Sequence, residues 1–185
     1  MLLTFLQKLA ETEWSIALHE SLWVWPLIES THVLTLTLFA GTAMLFDLRL
    51  TGMALGRMPA ATVYARLLPW TQAGFVLMVT SGLLLFYATP VRNYQNIFFR
   101  VKVMLMILAG LNVWLFHRGI YRRVDQWGDA ALPPRRARLA GYASLVLWAG
   151  VIVCGRLIAY NWFDCDIQPQ SAFVNWFAGC VVATD

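Results

Sequence analysis

Residues 23–48 of this chain read WVWPLIESTHVLTLTLFAGTAMLFDL. At a rise of 1.5 Å per residue, about 20 apolar residues cross a hydrocarbon core of about 30 Å, and this stretch is long enough to do so. It nevertheless carries Glu29 and His32 in its first half. Three further apolar runs follow, at about 69–88, 97–117 and 139–162. The expected fold is therefore all-α, a polytopic membrane four-helix bundle forming one domain over residues 1–185. Pro69 suits the first turn of the second helix, where its missing N–H costs nothing.

Composition supports that class. Hydrophobic residues make up 59% of the chain and charged residues 13%, against about 25% charged in soluble domains. The mean hydropathy is +0.61. Before the first run, residues 2–20 place Leu2, Phe5, Leu6 and Leu9 on one helical face, the pattern of a helix lying in the membrane interface. These residues lack the basic leader and small-residue cleavage site of a signal peptide. Residues 171–183 are apolar but too short to span, and read as a helix on the surface.

The basic residues orient the chain. The first loop holds Arg49, Arg57 and Arg66, and the third holds Arg118, Arg122, Arg123, Arg135, Arg136 and Arg138, nine of the fourteen Lys and Arg residues. Both loops are expected on the cytoplasmic side, with both termini and the tail 163–185 in the periplasm. Cys165 and Cys180 then lie where oxidation is allowed, so a disulfide between them is expected. It would stabilise the tail by roughly 3 kcal/mol. Cys154, inside the fourth run, reads as a free thiol.

Ionisable residues inside membrane helices cost ~2.5–3.5 kcal/mol each on insertion scales and generally mark function. Counting inward from the periplasmic edge, Glu29 and Arg156 lie ~9 Å deep and Lys102 ~8 Å. His32 is one turn below Glu29, and residues three apart neighbour each other on a helix. These four are the expected cofactor-binding group. The plainer reading is that Glu29 neutralises Arg156 or Lys102, but one carboxylate does not offset two cations. The surplus positive charge beside a histidine suits a haem propionate, a quinone head group or a lipid phosphate. His32 lies ~14 Å and His117 ~30 Å below the outer edge, so the two do not share one haem iron. Met106 is level with His32 and, with Cys154, would make His32 and Met106 candidate metal ligands for haem or Cu(I). Methionine in an apolar helix more commonly packs.

At the cytoplasmic end, Asp47, Arg49, Trp70 and His117 form a second expected polar cluster, whose plainer reading is helix-end capping. Phosphate-binding glycine loops, zinc dyads and nucleophile elbows are absent from the sequence, and nothing points to nucleic acid.

The runs WPLIESTH, FDLRLTG, LPWTQAGFVLMVTSG, KVMLMILAGLNVWLFHR and GRLIAYNW together resemble a family of uncharacterised bacterial inner-membrane proteins, a domain of unknown function with about four membrane helices. The resemblance covers roughly residues 14–162 and implies a bacterial inner membrane. The positions that match its pattern include Glu29, His32, Asp47, Arg49, Lys102, His117 and Arg156. It implies no reaction. Taken together, the expected role is a redox-linked subunit, not an enzyme by itself, that binds haem or quinone in a periplasmic-side pocket. It would serve other membrane or periplasmic subunits. A ligand-free assembly subunit and a small metal- or proton-coupled transporter are the alternatives.

Overall fold

The computed structural model describes residues 1–160 and 162–180. Four helices are long and apolar enough to cross a membrane, which makes this a multi-pass membrane protein. They are α3 (Val24–Thr51), α4 (Ala60–Ala88), α6 (Ile97–Leu115) and α8 (Arg135–Leu157). Short helices decorate the two ends. At the end bearing the termini are α1 (Leu2–Ala10), α2 (Glu13–Glu20), α5 (Pro90–Tyr94) and α9 (Ala172–Ala178). At the opposite, loop end, α6 runs into a π-turn at Phe116–Ile120 and a 3-10 turn, followed by α7 (Val124–Trp127).

Three boundaries differ from the sequence expectation. The helix expected over 69–88 begins at Ala60, so Pro69 lies inside α4 rather than in its first turn. The residues ARLL before it carry the charge of Arg66, but Ala, Arg and Leu are all good helix formers. The helix has room for it because 29 residues extend ~43 Å, well beyond the hydrocarbon thickness. The fourth helix likewise starts earlier, at Arg135, directly after Pro134. The single interfacial helix expected over 2–20 is broken in two. Thr12 caps α2 by accepting from the Ser15 N–H, which stops α1 short of it. Residues 181–183 of the expected surface helix lie outside the described residues; α9 itself closes on Gly179 at φ 70°.

The bundle is assembled by α3, which packs along α4 on one side and α8 on the other, while α6 packs on α8. Between α4 and α6 there is no extended contact. The central core is Phe39 and Ala40 of α3, Met78 of α4, Ala109 of α6, and Trp148 and Val151 of α8. The Trp148 ring stands edge-on to Phe39 at 4.8 Å. Small residues permit the closest approaches. Gly141 of α8 faces the Asp47 carbonyl at 3.0 Å from its absent Cβ.

The termini end is tied together by hydrogen bonds to chain ends. Ser15 donates to the Tyr87 carbonyl at the end of α4, and Thr12 pairs with the Tyr87 hydroxyl at 2.8 Å. Carbonyls in the last turn of a helix have no partner within it, and the N-terminal hairpin supplies one. The Cys165–Cys180 disulfide is formed, as expected. Arg100, in the first turn of α6, holds this closed tail by donating to the carbonyls of Phe177 and Ala178. Asn96 caps α6 through the N–H groups of Phe98 and Phe99, and its amide donates to Asp164.

Candidate functional site

Of the four residues expected to share one pocket near the termini end, the structure brings together two. His32 and Lys102 both face between helices, close enough for the lysine charge to act on the imidazole and on Cys154. The His32 Nδ1 lies 3.0 Å from the Ser81 hydroxyl of α4. Gly82 makes room for the ring, since a Cβ there would come 3.1 Å from His32 Cε1. Lys102 extends over Gly155, with Nζ 3.6 Å from that glycine's absent Cβ. Glu29 and Arg156 lie at a similar depth but are exposed on the bundle perimeter. The buried stripe of α3 runs through Thr35, Phe39, Ala40, Asp47 and Leu50, and Glu29 falls on its shoulder. Arg156 turns away from the buried Val151 and Cys154 and covers the Tyr160 ring at 5.1 Å.

Met106, the expected soft ligand, packs against the central core. Cys154 is buried and free. Among the described residues no group of three His, Cys, Asp or Glu side chains is placed to hold a metal ion.

The expected cluster at the loop end resolves into separate arrangements. Arg49 is fully buried and staples two loops: Nε donates to the Met58 carbonyl at 2.7 Å, and Nη2 to those of Gly128 and Ala130. Trp70 is 62% exposed on the outer face of α4, displaced from the helix end by the longer helix. His117 pairs with Tyr64, a residue the sequence reading did not single out, across 3.0 Å between Nε2 and the hydroxyl. Its Nδ1 is 2.9 Å from the Val113 carbonyl. Asp47 is 6% exposed and has Ser144 as a side-chain hydrogen-bond partner, while its Oδ2 has none among the described residues.

Asp47, Tyr64 and His117 meet again on one surface. They line the loop-end portion of a cavity of about 620 Å³ that runs toward the middle of the bundle. The walls are otherwise mostly Leu, Val, Phe, Met and Ala, with Thr42, Thr71, Asn112 and Ser144 as the further polar residues, and no Lys or Arg takes part. The cavity occupies the place where α4 and α6 fail to pack. Its lining includes Phe75 of α4 and Ile107 and Gly110 of α6, all exposed at the bundle surface. It is thus an interhelical cleft with a lateral opening. Composition could not reveal it, because an apolar residue facing a cleft and one facing lipid look alike in sequence. The usable signal was Asp47, a carboxylate within an apolar run.

No curated protein and no solved structure matches the chain. One family pattern does, over residues 24–161, which takes in all four long helices. The chain belongs to that family, a family of unknown function (DUF6644).

Proposed function

We propose that this protein is a redox-linked subunit of the bacterial inner membrane whose interhelical cleft takes a quinone-class ligand from the bilayer. The observation behind this reading is the division of the cleft: apolar walls with a lateral opening between α4 and α6, and polar side chains gathered at one end. A quinone divides the same way, with oxygens on a ring and an isoprenoid tail that favours lipid. Ligand pockets are commonly concave and apolar with a few convergent polar groups, and a volume of about 620 Å³ suits a ring with its first tail unit.

The basic loops orient the polar end of the cleft toward the cytoplasm and both termini toward the periplasm. This moves the binding site to the end opposite the one the level of Glu29, Lys102 and Arg156 suggested. Haem suits the cleft less well. Its propionates are anionic, yet no Lys or Arg lines the cavity, and both ring nitrogens of His117 are already engaged. The subunit would exchange reducing equivalents with the quinone pool on behalf of a larger membrane complex.

The test is to purify the protein in mild detergent and quantify extracted quinones by mass spectrometry, beside a Gly110→Trp variant. Gly110 lines the cleft and a Cβ there meets nothing within 4 Å, so a bulky side chain starts from open space. Co-purified quinone that is lost in the variant supports the reading. Equal quinone in both, or none in either, overturns it. A Soret band with reduced α and β bands would return haem to first place.

A further inference from the structure

The polar end of the cleft is unusual in what it offers a ligand. The His117 Nδ1 faces a carbonyl, which only accepts, so in the neutral ring Nδ1 carries the proton and Nε2 accepts from the Tyr64 hydroxyl. The Tyr64 hydrogen is thereby used, and its oxygen presents lone pairs alone. Asn112 donates through Nδ2 to the Ala140 carbonyl at 3.0 Å, which settles the orientation of its amide and leaves Oδ1 as an acceptor on the lining. The hydroxyls of Thr42 and Thr71 donate to carbonyls of their own helices. The Asp47 carboxyl stands on the same wall, with Oδ2 buried and without a hydrogen-bond partner among the described residues. Such an atom forfeits its hydration without replacement. The Trp148 indole N–H has no hydrogen-bond partner among the described residues, but it lies one turn from Ser144 toward the bundle middle. The Asp47 end is left rich in acceptors.

We infer that the cleft selects the reduced, hydroxyl-bearing form of its ligand, a hydroquinone, whose O–H groups donate to Asp47 and its acceptor neighbours. This rests on the quinone-class reading of the cleft. An oxidised quinone brings only carbonyl lone pairs to that end and meets acceptors there. A hydroquinone brings the donors that are missing.

The experiment compares decylubiquinol with decylubiquinone, titrated anaerobically into the full chain in lipid nanodiscs, for wild type, Asp47→Asn and Tyr64→Phe. Wild type is expected to bind the quinol at least about tenfold more tightly. Asp47→Asn replaces an acceptor oxygen by a donor amide and is expected to erase or invert that ratio. Tyr64→Phe is expected to reduce it. Equal wild-type affinities, or a ratio untouched by Asp47→Asn, overturn the selection while leaving the quinone reading in place. If neither form binds, both fall together. The wild-type ratio decides the matter even if a variant does not fold.

Discussion

Gly74 of α4 lies directly against the backbone of Phe39 in α3: a Cβ at position 74 would come 2.9 Å from the Phe39 nitrogen and 3.1 Å from its Cα. Backbone cannot swing aside as a side chain can, so this contact sets the separation of the two helices. Phe39 is also the residue on which Phe75 and Trp148 pack. This close approach of α3 and α4 therefore also lies in the central core.

Replacing Gly74 by Ala is expected to force the helices apart and cost about 1–3 kcal/mol, as overpacking typically does. A lowered thermal unfolding midpoint in detergent would register this. Gly110→Ala, which meets nothing within 4 Å, is the matched control and is expected to leave the midpoint in place.

Arg49 is expected to be intolerant even of lysine. Its guanidinium reaches three carbonyls on two loops, at Met58, Gly128 and Ala130, and an ammonium cannot span that arrangement. Arg49→Ala should lose roughly 3 kcal/mol or more, because three buried carbonyls lose a charged donor. Limited proteolysis would show it first, as new cleavage in 52–59 and 128–134. An unchanged digest would mean the loops hold themselves.

The closed tail is expected to be a separable cap. Removing the bridge by Cys165→Ser with Cys180→Ser frees a 15-residue separation, worth about 3 kcal/mol in the loop-entropy model. Arg100→Ala removes the other tether, to Phe177 and Ala178. Protease should then release residues beyond Phe163 while the four long helices stay protected.

His32→Ala is expected to weaken the pairing of α3 and α4 by about 1–2 kcal/mol, through a lost hydrogen bond and lost packing. Ser81→Ala should cost less, about 1 kcal/mol or below, since the Ser81 hydroxyl also has the Leu77 and Met78 carbonyls as partners. Equal losses in the two variants would contradict this ranking, which chemical denaturation in mixed micelles can measure.

Several of these relationships were half-legible beforehand. The level shared by Glu29, Lys102 and Arg156 could be counted from the helix rise, and of the group His32 and Lys102 are half-buried while Glu29 and Arg156 are exposed. Direction around each axis could not be counted as well. A span that must satisfy lipid on one side and helices on the other is apolar all round, so the amphipathic signal that orients a soluble helix is weak. Glu29 sits one residue past the half-buried Ile28 of α3, and that single step of about 100° turns it outward. Tyr64 is hidden for another reason: it precedes Pro69, and a proline at the head of an apolar run reads as a helix start. Extending α4 by nine residues is what delivers Tyr64 to His117.

The amino-acid sequence by itself determined the class, the number of spans, the family resemblance and the Cys165–Cys180 bridge. Each depends on local composition, segment length or simple proximity along the chain. The tertiary structure alone decided which polar residues meet. It paired His32 with Ser81 and His117 with Tyr64, buried Arg49 among loop carbonyls, and left α4 and α6 apart around Asp47. Those outcomes follow from helix rotation and from which helices pack together, and such choices are made by contacts between residues dozens of positions apart.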